Sequence, residues 1–87
     1  MHRRNRYDII NEILYIAKNG ATKTRIVYGA NLNSKIAKIY LKYLISKEMI
    51  HKQHDSFFTT EKGNEYQKAI KSVLEFESKK VLTQQFK

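Results

Sequence analysis

Three lysines at helical spacing, Lys35, Lys38 and Lys42, are the residues whose type and arrangement best suit a chemical task. Residues three and four positions apart are neighbours on one face of an α-helix, so their ammonium groups would project side by side. Such a row of cations can neutralise successive phosphates of a nucleic acid. The same row also suits an ordinary solvated helix face, and this helix alone favours the two interpretations about equally.

The helix that positions these lysines is predicted within residues 32–50, LNSKIAKIYLKYLISKEMI. Asn33 or Ser34 can cap its start, because a short side-chain oxygen accepts a hydrogen bond from the free N–H groups of the first turn. Ile39 and Ser46 should lie beside the lysines. At about 100° per residue, the opposite arc is apolar and should be buried; it consists of Ile36, Ala37, Tyr40, Leu41 and Leu44.

The charge of the chain is both large and unevenly placed. Its 87 residues carry a formal net charge of +9, and no acidic residue lies between residues 13 and 47. This concentration of positive charge predicts a polyanionic partner. The length indicates one domain, and the absence of cysteine excludes disulfides and thiolate metal sites. Because there is no apolar run of about 18 residues and no signal-peptide pattern, we expect a soluble cytoplasmic protein associated with the nucleoid.

Two further helices are predicted before the lysine-bearing one. Residues 7–18 should form the first, which Asn19-Gly20 should end because glycine tolerates the conformation common after a helix. A short extended segment over 21–22 follows, and Thr24 should then cap a brief second helix. A turn over residues 29–32 leads into the third helix. This order is typical of a helix-turn-helix.

A β-hairpin and a long helix are predicted after the third helix. Residues 50–53 and 57–59 should form two strands around a turn, in the position of a wing. Thr60 should cap a last helix that runs to about Gln85 and carries more apolar surface than the body can cover. Its outer part is therefore predicted to pair with a second copy of the chain. The predicted interface of this homodimer comprises Tyr66, Ile70, Val73, Leu74, Phe76, Glu77, Lys80 and Val81.

The predicted fold is mostly α-helical with a small β-hairpin. A flexible basic arm (1–6) precedes a winged helix-turn-helix body (7–59), and a C-terminal dimerisation helix, a coiled coil, covers 60–87. Double-stranded DNA is the predicted partner, with the third helix in the major groove and the other elements on the backbone or in the minor groove. The predicted contacts are Lys23, Thr24, Arg25, Ser34, Lys35, Lys38, Ile39, Lys42, Lys52, Gln53, His54, Arg3, Arg4 and Arg6.

The chain resembles the archaeal winged-helix proteins of the Sso10a type over roughly residues 6–86. The resemblance lies in TKTRIVYGANLNSKIAKIYLKYLISKEMI (22–50) and in FFTTEKG (57–63), which follows the hairpin. It implies DNA binding and a dimer formed by an antiparallel coiled coil of the last helices. The chain departs from the pattern of that family at Glu48, where a glycine is usual close by, and in the irregular heptads of its last helix.

Enzymatic and metal chemistry have little support in the sequence. His51 and His54 lack a further His, Cys or carboxylate cluster, and no phosphate-binding glycine loop or nucleophile with its base is recognisable. No enzyme activity, cofactor, metal or small-molecule ligand is predicted. Because the third helix lacks the Asn and Gln that suit bidentate base contacts, we expect modest sequence specificity and a chromatin, architectural or regulatory role. A promoter-specific transcription regulator and a protein-interaction module without DNA binding are the alternatives.

Overall fold

Four helices and three short strands make up the part of the chain that the structure describes. The computed structural model describes residues 4–85, with the surroundings of side chains described as far as residue 76. In chain order the elements are α1 (Arg6–Ile16), β1 (Ala21–Thr22), α2 (Lys23–Gly29), α3 (Ser34–Ser46), β2 (Ile50–Gln53), β3 (Ser56–Thr59) and α4 (Glu61–Gln85). This mostly helical architecture with a small antiparallel sheet confirms the predicted fold class.

A reciprocal cap formed by Asn5 and Asp8 starts α1. The Asn5 side chain accepts a hydrogen bond from the Asp8 N–H at 2.9 Å, and the Asp8 carboxylate accepts one from the Asn5 N–H at 3.1 Å. The pair satisfies two of the free donors of a helix N-terminus. Arg6 is consequently a helical residue, which corrects the flexible arm predicted over residues 1–6. Residues 1–3 of that arm lie outside the described residues.

Arg4 is also held against the folded body. Its guanidinium donates hydrogen bonds to the Glu12 carboxylate at 2.7 Å, to the Ala30 carbonyl at 2.6 Å and to the Asn31 carbonyl at 3.1 Å. Both carbonyls lie just beyond the end of α2, where a cation complements the negative end of the helix dipole. Arg4 therefore ties α1 to the end of α2, which also corrects its place in a mobile arm.

Thr22 caps α2, and the prediction that Thr24 does so is wrong. The Thr22 hydroxyl oxygen accepts a hydrogen bond from the Arg25 N–H at 3.2 Å. Its backbone has the extended conformation that a cap needs, with φ −76° and ψ 162°. Pairing of β1 with the hairpin holds Thr22 in this conformation, and α2 therefore begins two residues earlier than a Thr24 cap would allow.

α2 and α3 end in turns of the same type. After α2, Asn31 has φ 53°, and the N–H of Leu32 donates at 2.9 Å to the carbonyl five residues before it. After α3, Glu48 has φ 62°, and the N–H of Met49 donates in the same way at 2.9 Å. Both are Schellman turns, whose left-handed residue is usually glycine and sometimes asparagine. They direct the chain into α3 and into β2.

The sheet contains a strand that was predicted only as an extended segment. β1 pairs antiparallel with β3, which pairs antiparallel with β2, so the order is β1-β3-β2. Thr59 also ties the sheet to α1, since its N–H donates to the Ala17 carbonyl at 3.0 Å and its hydroxyl to the Leu14 carbonyl at 2.7 Å. The hairpin is therefore fixed to the body along one side.

The first turns of α4 are packed closely against the end of α3. The Thr60 hydroxyl accepts a hydrogen bond from the Gly63 N–H at 3.0 Å, which confirms the predicted cap, and donates one to the Glu48 carbonyl at 2.6 Å. Gly63 lies against the Met49 carbonyl so closely that an added Cβ would collide with it. The largest fully buried side chains of the core are Ile10, Ile13, Leu14, Ile26, Leu44 and Ile50.

Candidate nucleic-acid interface

α3 buries a narrower apolar face than its sequence pattern predicted. Asn33 is the cap, since its side-chain oxygen accepts a hydrogen bond from the Ile36 N–H at 2.7 Å. Three residues of the predicted arc are buried, namely Ala37, Leu41 and Leu44. Ile36, by contrast, is 37% exposed, because it lies roughly 80° around the helix from the nearest of them. The outward face of α3 therefore contains apolar residues as well as lysines.

Four lysines from three elements surround one groove of about 250 Å³, which we call the basic groove. Lys38 and Lys42 come from α3, Lys23 from the first turn of α2, and Lys52 from β2. The remaining lining residues are the apolar side chains Leu41, Ile45 and Phe57, so no carboxylate lies among them. The Lys52 ammonium also stands over the Phe57 ring, 5.6 Å from its centroid. The groove is a concave cationic surface on an apolar floor.

Other predicted contact residues lie on the same three elements. Thr24 and Arg25 are exposed in the first turn of α2, and Ser34 and Lys35 are exposed at the start of α3. Gln53 and His54 are exposed at the hairpin turn, where His54 has the positive φ of 57°. Their positions leave all of them open to solvent. The assignment of these side chains to contacts with DNA stays a prediction.

A second groove, of about 360 Å³, lies on the other flank of α3 and is mainly apolar. Its lining residues are Arg6, Ile36, Ile39, Tyr40 and Tyr43, and we call it the apolar groove. Cations flank the Tyr43 ring: the Arg6 guanidinium carbon is 5.8 Å from its centroid, and the Lys47 ammonium is 5.9 Å away. Sequence reasoning missed this groove, because Arg6 was assigned to an arm and Tyr43 to no surface.

The family model of winged helix-turn-helix proteins matches residues 3–78. This chain belongs to the winged helix-turn-helix family. The uncharacterized protein MJ0287 of Methanocaldococcus jannaschii is 35% identical over 80 residues, which cover 91% of this chain and 82% of that protein. Protein MJ0290 of the same organism is 40% identical over 62 residues, which cover 70% of this chain but only 29% of MJ0290.

A solved structure has the same winged-helix fold. The crystal structure of Sso10a-2, described as a DNA-binding protein from Sulfolobus solfataricus, matches this chain with a TM-score of 0.83. The two are 24% identical, and the match covers 94% of this chain and 90% of the other. The predicted resemblance is thereby confirmed. In winged-helix terms α2 and α3 form the helix-turn-helix, and β2 with β3 forms the wing.

The long helix α4 leaves apolar residues exposed where it passes beyond the winged-helix body. Val73 is 51% and Phe76 63% exposed, whereas Tyr66 and Leu74 are partly covered by the core. Ile70 is 4% exposed and belongs to that core, which corrects its assignment to the dimer interface: α1 still covers the helix at this point. The side chains of the other predicted interface residues, Glu77, Lys80 and Val81, lie outside the described ones.

A groove of about 390 Å³ borders this exposed part of α4. It is lined by Tyr7 of α1 and by Tyr66, Ala69, Ile70, Val73 and Leu74 of α4. Burial raises the pKa of the Tyr66 phenol above its ordinary value, and the neighbouring Tyr43 and Tyr7 phenols raise it further. A tyrosine phenol is neutral at physiological pH even without such a shift, so Tyr66 adds no charge to this largely apolar surface.

Two classes of feature are not found in the described part of the chain. No helix there has the length and apolar composition needed to cross a membrane. No three His, Cys, Asp or Glu side chains of the described residues are grouped as ligands for a metal ion.

Proposed function

We propose that this winged helix-turn-helix protein binds double-stranded DNA through the basic groove. The observation that carries the proposal is the convergence of Lys23, Lys38, Lys42 and Lys52 on one concave surface whose lining contains no carboxylate. These lysines come from separate parts of the sequence, and the repulsion between their charges disfavours such a cluster. A bound anion would offset this repulsion. A phosphate backbone supplies such anions at regular spacing.

Two further observations support a DNA partner. The net charge of +9 on 87 residues gives the protein a strong attraction for any polyanion. The match in fold to Sso10a-2, which is described as DNA-binding, makes duplex DNA the preferred polyanion. In this proposal α3 enters the major groove, the first turn of α2 contacts phosphates, and the wing reaches the adjacent backbone or minor groove. The role is one of binding, with no catalytic step.

We infer modest sequence specificity from the side chains that α3 offers. Between Ser34 and Ser46 it contains no Asn, Gln or Arg, the residues that make most bidentate contacts with base edges. Lysine acts as a mobile point charge and discriminates less well among bases. A chromatin or architectural role, with the protein located on the nucleoid, agrees with such a surface better than tight binding to one operator does.

A homodimer formed through α4 is the second part of the proposal. Val73 is 51% and Phe76 63% exposed, so burying the remaining surface would stabilise the protein by roughly 1–2 kcal/mol for each side chain. A second copy of α4 offers the same residues, so a two-fold interface would cover both sets at once. Two winged-helix bodies held in this way could reach successive major grooves on one side of a duplex, about 34 Å apart.

A titration with random-sequence duplex at several salt concentrations tests the DNA-binding proposal. Each contacted phosphate should contribute about −0.9 to the slope of log affinity against log salt, so contact by four lysines predicts a slope of roughly −3.5. A flat salt response, or no binding at low salt, would contradict DNA binding and favour a protein-interaction module. Strong preference for one promoter over random duplex would instead indicate a specific transcription regulator.

A further inference from the structure

The outward face of α3 is divided lengthwise into a cationic flank and an apolar flank. Lys38 and Lys42 line the basic groove, whereas Ile36, Ile39 and Tyr43 line the apolar groove. Ile39 is 56% exposed and lies at the border of the two flanks, beside the lysines. It is four residues after Lys35 and three before Lys42, so both are its neighbours on the helix surface. The Ile39 side chain is therefore not part of the hydrophobic core.

The composition of α3 limits which features of a base pair it can read. The helix has no Asn, Gln or carboxylate to pair with adenine or cytosine, and its polar side chains are three lysines, two serines and two tyrosines, of which the lysines suit guanine. The major groove nevertheless presents one apolar group that distinguishes a base, the 5-methyl group of thymine. An exposed branched aliphatic side chain is the kind of group that contacts this methyl favourably. Ile39 is the most exposed such residue of α3.

We infer that Ile39, together with Ile36, contacts thymine 5-methyl groups in the major groove and gives the protein a preference for thymine-containing sites. The inference rests on the proposed DNA binding and identifies the feature of DNA that the site distinguishes. Charge complementarity supports this occupant: Arg6 and Lys47 flank the Tyr43 ring at the apolar groove, so the apolar surface has cations on its border. Phosphates flank the base edges of a duplex in the same way, whereas a purely apolar protein partner would leave these cations without counterions.

Replacement of thymine by uracil tests this inference, because it removes the methyl group and keeps every Watson–Crick hydrogen bond. The probes are two 30-base-pair duplexes of the same mixed sequence, one with thymine and one with uracil at every thymine position. Burying one methyl is worth about fourfold in affinity, so two contacted methyls predict roughly 15-fold weaker binding to the uracil duplex. The slope of log affinity against log salt should be equal for the two duplexes, since the phosphates are unchanged.

Ile39→Ala and Tyr15→Ala provide the pair of variants. Both shorten an exposed side chain of a helix to a good helix former, and Tyr15 of α1, 68% exposed, lines neither the basic groove nor the apolar groove. Ile39→Ala should reduce the thymine-to-uracil ratio from roughly 15-fold to about fourfold, because Ile36 still contacts one methyl, while Tyr15→Ala should keep the wild-type ratio. Equal binding of both duplexes by the wild type would overturn the inference and leave DNA binding intact. An undiminished ratio of roughly 15-fold in Ile39→Ala would overturn it too, because the methyls would then act elsewhere or through DNA shape. No binding to either duplex would instead contradict the proposed function itself.

Discussion

α3 and α4 are both amphipathic helices, but they leave different kinds of surface exposed. α3 packs against α2 and β2, and its exposed face combines three lysines with three exposed isoleucines. α4 is covered by α1 only over its first turns, and its next described apolar residues, Val73 and Phe76, are exposed. A cationic face is stable in water and attracts an anion, whereas an exposed apolar face is stabilised by another apolar surface. The proposed function accordingly assigns DNA to the face of α3 and a second copy of the chain to the face of α4.

The largest effect that we predict is on dimer formation, and it should come from a charge placed in the exposed apolar face of α4. Val73→Asp would bury a carboxylate in the proposed dimer seam, at a cost of several kcal/mol for each copy. We expect the dissociation constant of the dimer to rise at least about a hundredfold, as measured by sedimentation equilibrium. The monomer should still fold, because Val73 is 51% exposed in the single chain.

Lys68→Asp is the matched control for that substitution. Lys68 is exposed on the face of α4 roughly opposite Val73. The substitution therefore introduces the same aspartate on the same helix, but outside the proposed dimer interface. Its dimer should persist. If the wild type itself sediments as a monomer at micromolar concentration, the exposed residues of α4 do not form a dimer seam.

The second effect concerns the contact that joins α4 to the end of α3. Gly63→Ala would place a Cβ against the Met49 carbonyl, and this backbone atom cannot move aside easily. We expect a loss of about 3 kcal/mol in the free energy of unfolding, measured by denaturant titration. Gly29→Ala is the control: there the new Cβ would meet the flexible end of Ile16, so stability should change by no more than about 1 kcal/mol. Equal effects of the two substitutions would mean that α4 is not anchored at Gly63.

The third effect concerns the cationic face of α3. Replacing both Lys38 and Lys42 by alanine should weaken binding to random duplex about tenfold to thirtyfold and reduce the salt slope by about 1.8, since two phosphate contacts are lost. Both side chains are exposed, so the thermal transition should remain cooperative. Replacing Lys68 and Lys71 of α4 by alanine removes the same charge away from the basic groove and should leave the slope nearly unchanged. Equal losses in the two double variants would show that net charge alone drives binding.

The helices were predictable from sequence because their periodicity and caps are local. The lysine face of α3, the turn before it and the Thr60 cap of α4 all follow from residues within a few positions. The buried face of α3 is narrower than predicted, because periodicity shows that a face is apolar and does not show which neighbour covers it. Ile70 was misassigned for the same reason.

Features made by distant residues were not predictable in this way. Lys52 joins Lys38 at the basic groove only because the wing folds back beside α3, and Arg4 reaches Ala30 across 26 positions of sequence. The choice of Thr22 over Thr24 as a cap likewise depends on pairing with Ser56 in β3. Such contacts depend on tertiary structure, and a single sequence carries no local signal for them.

The smallest effect we predict concerns the turn that connects α3 to β2. Glu48 has φ 62°, a left-handed conformation that costs a residue with a Cβ roughly 1–2 kcal/mol, and its carbonyl accepts the hydrogen bond of Thr60. Glu48→Gly removes this strain but increases the freedom of the unfolded chain, which opposes the gain by about 0.5–1 kcal/mol. The net expectation is a stabilisation of about 0.5–1 kcal/mol, measured by denaturant titration. Glu48→Gln keeps the strain and removes only the charge, so it should show no such gain. Asn31→Gly should gain less than Glu48→Gly, because asparagine tolerates the same conformation in the matching turn after α2. Equal stabilisation by Glu48→Gln and Glu48→Gly would contradict this expectation. The cause would then be the removal of a carboxylate from the end of α3, where the helix dipole disfavours negative charge. The left-handed conformation of residue 48 would cost little.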